Sequence, residues 1–531
     1  MSVSKYLTRS VLAAALATAA AGAGANPGQF MAKLYTEALG RAPDAGGWQG
    51  GLNHFNANGC NRASLTTAAQ NVYTSAEYDS RGYDNYEKVL TAFRGILNRE
   101  PDRGGYAYWV NFLNNGNGMS ALVRELTAGL DNGEIGTTAI CRSLGYGWGT
   151  APVPGNDVIP VASQGITTLA TLQAALASAA PNSTVWLAQR AVIFADSQIV
   201  VPSGVTLATY GLPPRTHYAK QARIVRTALF PATNELEGGL IKLMPGARLD
   251  SVWSTGQRQT LGYTNLAMNV VMAGGFDSAV VNSRSENSNG WVTVLAHRYG
   301  QPCGRITVQN NLLTGYANTH RAGDPGYTDG ISGNCEGYTA TGNDIIDASD
   351  VGIIMFAPDL TTPQRSVATN NIVVAAGVPA FAAYAMDALS HSTFVSRTPL
   401  SFEGASISNN QFWSAPDTHF DFGLAVGTWP WSDSENSGSK GRFVGNSNMG
   451  IATPMNVGIV IDGMVEATVQ GNALNRIAPR TSFGDNSTVF RFGCQAGDIV
   501  ADANPGDPHA SGTQMQGPFV NRAEHACVGH W

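Results

Sequence analysis

Residues Tyr327–Phe356 read YTDGISGNCEGYTATGNDIIDASDVGIIMF. Two similar steps stand in this stretch, Asp329-Gly330-Ile331 and Asp350-Val351-Gly352-Ile353, with Asp329 and Asp350 21 residues apart. Gly342-Asn343 lies between them, ahead of a short apolar run. A recurrence at about 20 residues suits one turn of a solenoid, in which each coil lays the same short strands above the last. Chemistry is then expected on the outside of the stack.

The same pattern runs on in both directions. ITVQNNLL, YTATGNDII, SVATNNIVV, SISNNQFW and ATVQGNAL share one form, and they align Asn311, Asn343, Asn371, Asn410 and Asn472. Asparagine accepts the left-handed turn that joins two sheets of a coil, and stacked amides can hydrogen-bond from rung to rung. Upstream, Thr168–Ala180 is an amphipathic helix, broken at Pro181-Asn182-Ser183 and followed by strand-like TVWL and IVVPSGVTL. Such a helix covers the open end of a first coil and protects its backbone groups from pairing. This order of elements resembles the pectate-lyase-like superfamily over about residues 165 to 530. The resemblance implies a mainly β fold, a right-handed parallel β-helix over residues 165–531.

Charged residues make up 13% of the 531-residue chain, about half the usual share, and there are 61 glycines. The net charge of -6, without a basic stripe, excludes nucleic acid as the main partner. Lys5 and Arg9, the apolar run Val11–Ala20 and the Ala-x-Ala endings near Ala21–Ala25 form a secretory signal peptide over residues 1–25. No later stretch is long and apolar enough to span a membrane. Secretion to the exterior, the cell surface or the periplasm favours disulfides over metal sites. Nearness within domains pairs Cys60 with Cys141, Cys303 with Cys335 and Cys494 with Cys527.

Residues 27–144 contain a repeat. Leu39-Gly40-Arg41-Ala42-Pro43-Asp44 returns as Leu97-Asn98-Arg99-Glu100-Pro101-Asp102, and Gly46-Gly47-Trp48 as Gly104-Gly105-Tyr106, both at an offset of 58. Apolar residues at spacings of three and four precede each copy, and Pro-Asp stops each helix. A small all-α domain of two copies is expected, with Arg41 and Arg99 in ion pairs with Asp44 and Asp102. The motif resembles an uncharacterised LGR-x-PD domain family of secreted bacterial proteins, often found beside surface-layer or calcium-binding repeats. That resemblance implies an extracellular or surface role, with no known catalysis. Gly145–Gln164, rich in Gly and Pro, reads as a linker.

Adjacent rungs lie about 4.8 Å apart, so carboxylates on consecutive coils can perturb each other and act as general acid and base. Thr328-Asp329 and Ser349-Asp350 resemble two signature blocks of polygalacturonase-type glycoside hydrolases, Asn-Thr-Asp and Asp-Asp. Tyr327 and Ser349 depart from those blocks, and no Gly-His-Gly or Arg-Ile-Lys block follows. A 21-residue register stacks Asp329 under Asp350. A 22-residue register aligns Gly330 with Gly352 and turns Asp329 to the other face.

Polysaccharide lyases of this fold use Arg, Lys or His as base, often beside calcium. His320 and Arg321 are therefore catalytic candidates with Asp329 and Asp350, and Asp324, His297, Arg298, Trp429 and Trp431 are candidates for substrate binding. Arg258, Arg284 and Glu286 are further polar candidates. Asp507-Pro508-His509 resembles a step of alginate epimerases, although Ser511 stands where an acid would follow. The expected function is a secreted carbohydrate-active protein that cleaves a polysaccharide by hydrolysis or elimination, without cofactor except calcium for a lyase. The alternative is a non-catalytic surface protein that binds glycan.

Overall fold

A computed structural model describes residues 27–130, 136–141, 155–156, 160–315, 326–359, 361–388, 399–427, 438–461, 464–479, 499–501 and 514–516. The expected signal peptide, most of the expected linker, His320, Arg321, Asp324, Trp429, Trp431, Cys494, Cys527 and the Asp-Pro-His step lie outside those residues.

From residue 184 onward the described residues form a right-handed parallel β-helix. Among the described residues two 11-stranded sheets and one 8-stranded sheet run along it, every pairing in them parallel. A coil passes through the first, second and third sheet in turn, as in Ile306–Gln309, Leu312–Thr314 and Asp329–Gly333. Inward Val, Ile, Leu and Ala side chains from all three sheets form one continuous core.

The corner between the first and second sheets takes two residues with separate jobs. The first is left-handed: Asn310, Gly342, Asn370, Asn409, Gly445 and Gly471 have φ between 54° and 69°. The second is the ladder residue. Asn311 Nδ2 donates to Asn343 Oδ1 at 3.0 Å, and the chain of amides continues through Asn371, Asn410 and Asn446 to Asn472. The expected ladder is present. The left-handed turn, however, belongs to the residue before it, and Asn446 is a member that the motif alignment missed.

Helix α9 (Leu169–Ser178), N-capped by Thr168, covers the first coil by inserting Leu172 and Leu176 into the core. Among the described residues, the helices before it are α1 (Gly28–Ala38), α2 (Ala45–Asn58), α3 (Arg62–Tyr73), α4 (Ala76–Ser80), α5 (Asn85–Leu97), α6 (Arg103–Asn114), α7 (Met119–Ala128) and α8 (Thr137–Cys141). The motif aspartates are helix caps: Asp44 accepts from the Gly47 amide and Asp102 from the Gly105 amide. Arg41 pairs with Asp44, and more closely with Glu77. Arg99 donates to the Glu100 carbonyl and lies on the Phe93 ring. Cys60–Cys141 and Cys303–Cys335 are disulfides.

The helical unit is docked along the outer face of the second sheet. Its apolar core is continuous with Trp253, Leu312, Ile346, Val374, Trp413 and Ile451. Within the interface three arginines meet three glutamates, all buried. Arg94 bonds Glu37, Glu100 and Glu286 at 2.9, 2.7 and 2.8 Å. Arg284 bonds Glu37 at 2.6 Å and Glu286 at 3.1 Å, and Arg223 reaches Glu100. The Trp253 ring lies beneath Arg223, Arg94 and Arg284. Arg284 and Glu286, read from sequence as site candidates, are thus interface residues.

Candidate functional site

Ile331 pairs with Ile353 and Ser332 with Ile354, so the register across the opening stretch is 22 residues. Asp329 stands level with Val351, and Thr328 with Asp350. Inward-facing glycines explain why this segment is Asp-Gly-Ile. A Cβ on Gly330 would meet the Gly352 carbonyl at 2.5 Å and Ile345 at 2.7 Å; one on Gly352 would meet the Ala383 carbonyl at 2.6 Å and Val373 at 2.6 Å. Ile331 and Ile353, the next residues, also lie in the core. Two successive inward positions leave Asp329 and Val351 on the outer face.

Asp329 therefore interrupts an apolar column, with Val292 below and Val351, Ala382, Phe422 and Val457 above. Its carboxylate rises to accept the Val351 amide at 2.9 Å. It is only 3% exposed. Burial, then the charge of Asp350 and more weakly that of Asp387, holds its pKa well above the carboxylate range, against the Val351 amide. Burial pushes Asp350 up to about 7. The acids are one residue out of line along the strand and still electrostatically joined.

The surroundings fix this edge. Arg258, buried under Tyr263, donates to the Thr328 hydroxyl and the Gly326 carbonyl, each at 2.6 Å. Thr328 donates to the Gly290 carbonyl, and its own amide donates to Ser349 Oγ at 3.0 Å. By register, Phe381 and Asp421 stand above Asp350. Asp421 accepts from Asn456 at 2.6 Å and lies 3.5 Å from Nε2 of buried His419.

Sequence reading did not single out Asp387, His419 or Asp421. An acid ending the apolar strand Ala380–Asp387 was one available signal, and His-x-Asp at the entry to Phe420–Val426 another.

His297 and Arg298 are not brought to this edge. They sit at the opposite ends of the strands, since Ala296 pairs with Gly333 while Val292 pairs with Asp329. Five residues of strand separate the two places, roughly 17 Å. There His297 Nε2 bonds the Asn334 amide group at 2.8 Å, and Arg298 pairs with Asp359.

Among the described residues no group of three or more His, Cys, Asp or Glu is placed to hold a metal ion. Nor, among them, is any helix long and apolar enough to cross a membrane.

A family described as a domain of unknown function (DUF4214) matches residues 69–124, from within α3 into α7. No curated protein matches the sequence. Among solved structures the chain is similar to endo-xylogalacturonan hydrolase from Aspergillus tubingensis, at 10% identity and TM-score 0.44, over 65% of this chain and 87% of that one. It is also similar to polygalacturonase from Erwinia carotovora ssp. carotovora, at 13% identity and TM-score 0.39, over 71% and 99%. A third is alginate lyase from Paenibacillus sp. str. FPU-7, at 10% identity and TM-score 0.31, over 67% and 98%. These likenesses carry no residue role and no activity to this chain.

Proposed function

We propose that the protein is a secreted enzyme that cleaves a polysaccharide by hydrolysis, with Asp329 as general acid and Asp350 as general base. One observation carries the reading: two carboxyls on consecutive rungs, electrostatically joined, with proton affinities raised by burial, that of Asp350 to about 7. Joined carboxyls with raised proton affinities suit donation to a glycosidic oxygen and activation of water at neutral pH. His320 and Arg321 are proposed to assist the acid pair in catalysis, Asp324, Trp429 and Trp431 to contact the substrate, and the helical unit to attach the enzyme at the cell surface. His297 and Arg298, at the far ends of the strands, fit an outlying subsite.

A second reading, a non-catalytic surface protein that binds glycan, is favoured by the 3% exposure of Asp329. Incubation with a panel of neutral and acidic polysaccharides separates the two. New reducing ends without an ultraviolet-absorbing unsaturated product support hydrolysis, and unsaturated product assigns a lyase instead. Glycan retention without turnover, unchanged in Asp329→Asn and Asp350→Asn, overturns the enzyme reading.

A further inference from the structure

The two helical repeats provide an internal comparison. Arg41 rests on Tyr35, and Arg99 on Phe93, each 5.2 Å from the ring centre, so the frames correspond at the 58-residue offset. In the second repeat the Trp109 indole lies edge-on against Phe93 and Phe112, at 6.4 and 5.3 Å. The first repeat has Gly51 at that position, with Tyr35 and His54 at the positions of Phe93 and Phe112. Met31 reaches the root of that place, since a Cβ on Gly51 would meet its Cε at 2.3 Å, but beyond it a cavity of about 300 Å³ lies between α1, α2 and α3, lined by Met31, Leu34, Tyr35, Gly51, His54 and Asn71 among others. The second repeat also has an opening, which shares the corresponding Phe93, Gly129 and Leu130 positions, holds Trp109 in its wall and extends toward Leu97, Arg99 and Gly136.

Two of these exchanges add hydrogen-bonding groups to the cavity: the Tyr35 hydroxyl for Phe93, and the Asn71 carboxamide for Gly129. His54 is already committed through Nε2 to the Ser64 carbonyl at 3.0 Å, so it offers mainly its ring. Among the described residues no Lys, Arg, Asp or Glu lines the cavity. Gln29, Thr36 and Glu37 of α1 bond toward the β-helix, whereas Met31, Leu34 and Tyr35 line the cavity, so docking leaves it open.

We propose that this cavity binds a small neutral aromatic molecule of about the size of indole, seated where Trp109 sits in the sister repeat, with its polar edge toward Tyr35 and Asn71. The site is independent of the acid pair on the third sheet.

Indole titrated into the full chain, followed by calorimetry or saturation-transfer NMR, should bind one equivalent with Kd on the order of 1 mM or tighter. A Cβ on Gly51 would meet Met31 Cε at 2.3 Å, so the plug needs a shorter neighbour, as Val89 is in the second repeat. The double variant Met31→Val with Gly51→Trp should bind about tenfold more weakly or not at all. Tyr35→Phe with Asn71→Ala should weaken binding several-fold with melting unchanged, and it decides the matter if the plugged variant fails to fold. Absence of saturable indole binding by the wild type overturns the proposal. So does unchanged affinity in Tyr35→Phe with Asn71→Ala, or saturable binding of glucose with none of indole.

Discussion

The Val351 amide donates to Asp329 Oδ1 at 2.9 Å, so the carboxyl of one rung caps the backbone of the rung that carries Asp350. Asparagine at 329 keeps an acceptor for that amide but cannot give up a carboxyl proton. Asp329→Asn should retain the fold, with melting shifted little, and lose about 10²- to 10⁴-fold in polysaccharide cleavage. A reducing-end assay beside a thermal melt checks both halves.

Asp350 makes stability depend on pH in a definite direction. Its folded pKa, about 7, lies above the ordinary carboxylate value, so the folded chain holds more protons than the unfolded chain between about pH 4 and 7. Its stabilising contribution is full below that window and is lost as pH rises through it, and Asp329 acts in the same sense. Glu37 and Glu286, held below their ordinary range, oppose this with a contribution lost as pH falls. Asp350→Asn should therefore flatten the decline in denaturation midpoint between about pH 4 and 7. An unchanged slope would exclude Asp350 as its source.

The interface network balances three arginines with three glutamates out of water. Arg284→Met strands Glu37 and Glu286 beside one fewer cation. Removing one partner of a buried pair costs about 3–5 kcal/mol. The helical unit and the β-helix should still unfold in one transition, observed together by far-ultraviolet circular dichroism and tryptophan fluorescence.

Asn371 occupies the middle of the ladder, donating to the Ala340 carbonyl and Asn410 while accepting from Asn343. Asn371→Ala should cost about 2–4 kcal/mol, because buried groups on two neighbouring rungs lose partners. Chemical denaturation reads the loss directly. Asn475→Ala, in a partly exposed position beyond the ladder, should cost less.

Coil architecture was legible because a solenoid repeats its constraints. Each corner needs a left-handed residue and then an amide, so NN and GN recur. The capping helix declared itself through Leu172 and Leu176. The register of the acids was not legible, since 21 and 22 residues differ by one and only the inward glycines decide between them. Docking of the helical unit was also hidden. Glu37, Arg94 and Glu100 look like ordinary surface charges until Arg223, Arg284 and Glu286, more than 120 residues away, are brought to them. The far placement of His297 follows from strand direction: it ends its strand, whereas Asp329 begins one.

Solenoids are ordinarily held by nearest-neighbour contacts, and can fray coil by coil from either end. Here the helical unit lies across the second sheet from Arg223 to Trp413. It works as a splint, coupling coils that do not touch one another and raising the number that must open together. A chain ending before Trp413 would leave part of that splint without its seat. Synthesis must therefore carry the earliest-made helices, unfinished on one face, until the late coils arrive.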